Sequence, residues 1–171
     1  MPVRPVVRYP DRILKERAGE AGAVDDAMRA LAVDLVDTMR AGPATVGLAA
    51  PQIGVGVRAF CLDVGSHPRA DSSHGLVVLF DPEVVEAHGG EDLREGCLSV
   101  PDFTANVRRA REVVLRGVDP EGTTRVHAMA GFEARAAQHE LDHLDGLLIL
   151  DRIRSANDLF PRRVYREPEV E

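Results

Sequence analysis

His139-Glu140-Leu141-Asp142-His143 sets two imidazoles four residues apart, with a carboxylate directly after the first. On a helix, positions i and i+4 lie one above the other on one face, so both rings can reach a single metal ion. Glu140 follows about 100° around that helix, close enough to meet a water at the metal without being drawn into coordination. Cys97, inside Glu95-Gly96-Cys97-Leu98-Ser99, is a third and softer ligand candidate. Two imidazoles, a thiolate and a water compose a site that keeps one position open for catalysis. The remaining candidates are weaker. Cys61 sits in an apolar alternation and reads as core. His67, His74 and His88 fall in polar stretches and read as exposed, and His127 receives no role.

These residues need a rigid support. The stretch 131–145 is predicted to be a helix closed by Gly146, with Phe132, Ala136, His139 and His143 on one side. Ala134, Ala137, Leu141 and Leu144 occupy the opposite side, leaving Arg135, Gln138, Asp142 and Asp145 as a narrow polar stripe. A helix apolar on most of its circumference is normally buried. Asp25 or Asp26 is expected to cap an earlier helix reaching about Arg40, with Met28, Leu31, Ala32, Leu35 and Met39 on one face, stopped by Gly42-Pro43. Strand patterns occur at 57–64, 76–80, 84–85, 113–118 and 125–129, divided by Gly, Pro and Asp turns. The expected fold class is α+β: short antiparallel strands packed around a buried central helix that carries the HExxH motif, with an N-terminal helix. Residues 1–154 are expected to form one catalytic domain and residues 155–171 a short polar C-terminal tail.

Composition narrows the function classes. The chain has 171 residues, 44% hydrophobic and 29% charged, which suffices for a buried core without disulfides. A formal net charge of -7 argues against nucleic-acid binding, which normally shows a basic excess. Two distant cysteines make no disulfide framework, so a reducing, cytoplasmic setting is expected, with Cys97 free for metal. No membrane span and no signal-peptide core are apparent.

Three separated segments together resemble the signature motifs of peptide deformylases: Gly47-Leu48-Ala49-Ala50-Pro51-Gln52, Glu95-Gly96-Cys97-Leu98-Ser99 and Gln138-His139-Glu140-Leu141-Asp142-His143-Leu144. The order and the distances fit, and the resemblance extends from Arg8-Tyr9-Pro10-Asp11 to about Asp151-Arg152. It implies a metal-dependent hydrolase that removes the N-formyl group from N-formylmethionyl nascent peptides and releases formate. It further implies one divalent ion on Cys97, His139 and His143, usually Fe²⁺ in cells, with Zn²⁺, Ni²⁺ or Co²⁺ able to replace it. Water at the metal would attack the formyl carbonyl, with Glu140 as general acid and base. The Gln52 side-chain amide and the Leu98 backbone N–H would steady the oxyanion. Substrate is expected to pair along Val46, Gly47 and Gly96, with Leu93, Phe132 and Ala136 around the methionine side chain. Glu95 and Arg109 are candidates for an ion pair beneath the cysteine loop.

The sequence also departs from the family pattern. Its first motif opens Thr45-Val46-Gly47 instead of Gly-x-Gly, and Thr104 stands where many relatives carry an arginine. Phe160-Pro161-Arg162-Arg163-Val164-Tyr165-Arg166 is short and interrupted by proline, so a ribosome-docking helix is not evident there. These departures keep two alternatives in view: a related amidase retuned to another small N-acylated substrate, and a non-catalytic metal-binding paralogue.

Overall fold

The computed structural model describes residues 3–162. The Asp25 carboxylate accepts a hydrogen bond from the Met28 N–H at 2.9 Å, and helix α1 runs Asp26–Ala41. Such a cap satisfies one of the N–H groups that a helix start leaves unpaired. Leu31, Ala32, Leu35 and Met39 form its buried face, against Leu48, Ala59, Cys61 and Phe80.

Among the described residues, eight strands make two sheets, and every pairing within them is antiparallel. The first contains β1 (Gly47–Ala49), β2 (Ala59–Leu62), β3 (Val77–His88), β6 (Glu112–Val118) and β7 (Thr124–Ala130), in the order β1-β2-β3-β6-β7. The second contains β4 (Glu91–Cys97), β5 (Val100–Arg109) and β8 (Leu159–Pro161), in the order β4-β5-β8. Helix α2 (Gly131–Leu144) is joined to both. Ala134, Ala137, Leu141 and Leu144 pack into a core with Phe60, Leu62, Leu79 and Leu115 of the first sheet. The Arg135 guanidinium reaches the other way, donating to the Val107 carbonyl at 2.9 Å and the Glu91 carbonyl at 2.8 Å. A third core, with Leu14, Val100, Val107, Leu148 and Ile149, closes the second sheet against the turn at 12–15 and the short helix α3 (Ile149–Arg152).

The expected fold class is corrected in its account of the site. The α+β elements are present, but the cluster able to hold a metal is the triad of Cys97, His139 and His143, not an HExxH motif on one buried helix. The reason is geometric: a helix offers two imidazoles at this spacing, and the third donor comes from the end of β4 in another layer. Nor are all the strands short. The expected pieces at 76–80 and 84–85 are one 12-residue strand, β3, whose pairing with β6 shifts between Phe80 and Glu83. Asp81 takes φ 46° at that irregularity, and its carboxylate receives the N–H groups of Ala21 (2.8 Å) and Gly22 (3.1 Å). A β-bulge lets a strand continue past such a residue. Strands β4 and β5 escaped the sequence pattern because they carry many charges, among them Glu91, Asp92, Arg94, Asp102 and Arg108.

Within the stretch expected as a tail, Leu159–Pro161 pairs with Phe103–Ala105 of β5. Residues 163–171, which include most of the basic stretch considered for ribosome docking, lie outside the described residues.

Candidate metal centre and active site

The site forms where β4 ends, α2 passes and the segment after β1 turns back. Cys97 closes β4, where the pairing with β5 shifts between Gly96 and Cys97, and its side chain is buried. His139 and His143 project from α2 with ring centroids 5.0 Å apart. Cys97 Sγ stands 3.4 Å from His143 Nε2, and one donor atom from each of the three residues lies within 4.8 Å of the others. Tetrahedral bonds of about 2.0–2.3 Å separate neighbouring ligand atoms by roughly 3.3–3.8 Å. The donor set and its spacing therefore fit one divalent ion. Burial opposes a thiolate at Cys97, but His143 and His139 outweigh it and hold that pKa well below the ordinary thiol value. A metal-binding cysteine must be deprotonated, and this surrounding favours that state.

Around the donors lies a buried ionic frame. His139 Nδ1 is 3.1 Å from Glu95 Oε2, which orients the ring with its Nε2 left for the ion. Glu95 also accepts from Arg109 (Nε 3.0 Å, Nη2 2.9 Å) and from Arg135 Nη1 at 2.7 Å. Arg109 continues to Asp142 at 2.5 Å, and Asp142 accepts from Arg152 at 2.6 and 3.0 Å. Burial works against the Glu95 charge, yet the bonds from His139 and Arg109 lower its pKa to about 2. The ion pair of Glu95 with Arg109 is thus present. Arg135 and Asp142 are further members that the sequence did not single out. They belong to the narrow polar stripe of that helix, and they face the second sheet, at 5% and 6% exposure. Their i, i+7 spacing with intervening Gln138 was the available signal; only the strand opposite reveals its meaning.

Glu140 is buried, and its Oε2 has no hydrogen-bond partner among the described residues. Burial pushes its carboxyl pKa up, helped by the Cys97 charge and opposed by the two histidines. Gly47 comes so near that an added Cβ would lie 2.5 Å from Glu140 Oε1. Gln52 is 2% exposed; its Oε1 accepts from the Ala49 N–H at 2.9 Å, which fixes the amide orientation. Its Nε2 then points at Ser99 Oγ (3.3 Å) and towards Cys97 Sγ (4.0 Å).

A cavity of about 670 Å³ opens over these groups. Val46, Gly47, Gln52, Gly96, Cys97, Leu98, Phe132, Ala136, His139 and Glu140 are among its lining residues, whereas Leu93 lies outside that lining with 41% of its surface exposed. Phe132 stacks on His67, ring centroids 4.1 Å apart, so this histidine from a polar loop is part of the wall. Ala44 takes the positive φ in the loop before β1, at 55°, while Thr45 does not. The β-branched residue in the departed motif is therefore accommodated without left-handed backbone.

A family model of polypeptide deformylases matches residues 3–158. A peptide deformylase of Desulforudis audaxviator is 44% identical over 153 residues, covering 89% of this chain and 94% of that one. A peptide deformylase crystal structure from Ehrlichia chaffeensis superposes with a TM-score of 0.84 at 31% identity, covering 91% of this chain and 90% of that one. One from Acinetobacter baumannii with Met-Ala-Ser bound gives 0.80 at 34% identity, covering 89% and 99%. These matches span nearly everything that frames the three donors, and on them the chain belongs to the peptide deformylase family, the metal-dependent hydrolases that remove N-formyl groups from peptides.

Proposed function

We propose that this chain hydrolyses N-formylmethionyl peptides to formate and a free amine, with Glu140 moving the proton and with Gln52 and Leu98 receiving the developing oxyanion. The observation that carries the reading is Glu140: a buried carboxylate with one oxygen unpartnered among the described residues, beside the Cys97, His139 and His143 donors. A purely structural metal site has no use for such a group. When bound, the divalent ion, read as Fe²⁺ in the cell, makes a nearby water acidic and polarises a carbonyl oxygen.

Glu140 takes a proton from the attacking water at its free oxygen and delivers it to the nitrogen as the C–N bond breaks. Burial raises its carboxyl pKa, which favours uptake of the proton from water. As the formyl carbon becomes tetrahedral, its oxygen gains charge, and the Gln52 Nε2–H and Leu98 N–H are the donors that meet it. A donor of this kind lowers the barrier by on the order of 3 kcal/mol. The Ala49 bond matters because it keeps the Gln52 amide from flipping its oxygen inwards. Backbone edges of β1 and β4 both border the cavity, so an extended peptide can add between Gly47 and Gly96. Val46, Phe132 and Ala136 give apolar surface for the methionine side chain. The bound Met-Ala-Ser of the Acinetobacter relative supports a peptide in this cleft. Nascent chains bearing formylmethionine are made on ribosomes, which puts the reaction in the cytoplasm.

Glu140→Gln should keep metal yet lose about 10² or more in turnover, measured as formate release from formyl-Met-Ala. Near-full activity in that variant would remove Glu140 from the mechanism. Equal turnover of acetyl-Met-Ala by the unaltered enzyme would favour a retuned amidase instead.

A further inference from the structure

Three arginines line the mouth of the cavity: Arg69 from the loop after β2, Arg94 from β4 and Arg162 just after β8. None of the three forms an ion pair among the described residues, whereas Arg109 and Arg135 deeper in the site are fully engaged. Arg94 lies over the Phe160 ring, 3.4 Å from its centroid. Arg162 is tied at its backbone, its N–H donating to the Asp102 carbonyl at 2.8 Å. Its side chain reaches back across the sheet. Gly96, Thr104 and Phe160 form one row across β4, β5 and β8, and a Cβ added at Gly96 would collide first with Arg162 Nη2. The Arg162 guanidinium therefore lies beside the strand edge where a peptide would add, over the space left by a glycine and a small threonine.

The cavity's two carboxylates leave this charge unanswered. Glu95 is bonded to Arg109 and Arg135, and Glu140 is buried at the bottom. A cationic rim on a chain of net charge -7 also runs against the overall field. Such forks suit planar carboxylates.

We propose that Arg162, aided by Arg94 and Arg69, binds an Asp or Glu side chain of the substrate downstream of its methionine and so sets a preference for acidic nascent N-termini. The proposal rests on the deformylase reading of the cavity.

The test uses metal-loaded, full-length enzyme and C-terminally amidated peptides, so that only a side-chain carboxylate is offered. Formyl-Met-Ala-Asp-Ala-amide should exceed its Asn counterpart in kcat/KM by about tenfold at low salt, mainly through KM, as one exposed charge-assisted contact allows. The ratio should shrink as salt rises. Arg162→Gln should bring it close to one, and Arg162→Lys should restore part of it. A wild-type ratio near one with brisk turnover of the Asn peptide would overturn the acidic preference and leave the deformylase reading intact. A full ratio in both Arg162→Gln and Arg94→Gln would overturn the assigned rim. Failure to release formate from either peptide would remove the deformylase reading, and the preference with it.

Discussion

Glycine at 47 has a reason that no propensity scale contains: the Glu140 carboxylate occupies the space of its missing side chain. Gly47→Ala should therefore displace Glu140 while leaving Cys97, His139 and His143 in place. Misplacing a reacting group by about 1 Å can cost on the order of 10² in rate. The expected variant binds its full complement of metal and loses about tenfold to a hundredfold in kcat for formate release. If kcat were unchanged, the position of Glu140 would not limit the chemistry. At this scale the sequence was most legible where local geometry does the work. Helical periodicity alone brings His139 and His143 together, and Glu140 follows from the same wheel. Cys97 is 46 residues from His143, and its ligand chemistry together with the family resemblance, not any local spacing, linked them. The Arg135–Glu95 bond, across 40 residues, takes its meaning only from the strand opposite the helix.

At the level of elements, patterning succeeded where one face is apolar and failed where both faces are polar. Helix α1, capped by Asp25, matched its expected limits closely because cap, stripe and stop agree. Strands β4 and β5 were unreadable, since their inward charges are satisfied by α2 instead of by water. The β6–β7 hairpin offers a test of a different kind. Asp119 Oδ1 accepts from the N–H groups of Glu121 (3.0 Å) and Thr123 (2.8 Å), and Oδ2 from Arg125 Nε at 2.6 Å. Burial opposes its charge, but Arg125 and those N–H groups outweigh it and lower the carboxyl pKa below 3.8. A depressed folded pKa means that the contribution is present above the unfolded value and lost as pH falls through the folded one. Asp119→Asn should then cost about 0.5–1.5 kcal/mol at pH 7, given the exposed partner Arg125. Thermal unfolding of the two proteins should converge as acid protonates Asp119. A deficit that stays constant through acid would assign the loss to packing rather than to charge.

Across the whole molecule, function arises where layers meet. The first sheet contributes β1 and the Gln52 segment, the second contributes β4 with Cys97, and α2 between them contributes both histidines. Neither sheet holds the donor set alone, which is why the sequence named its members more easily than its architecture. Two cysteines make the central claim directly measurable, because Cys61 is buried beside Met39, with its thiol pKa pushed up mainly by burial, and serves as the control. The measurement is visible absorption on loading anaerobic, metal-free protein with Co²⁺, which gives a thiolate-to-metal charge-transfer band when sulfur is a ligand. One Co²⁺ per chain with that band is expected, retained in Cys61→Ser and lost in Cys97→Ser. A band that survives in Cys97→Ser, or one that vanishes only in Cys61→Ser, would contradict a centre built from Cys97, His139 and His143.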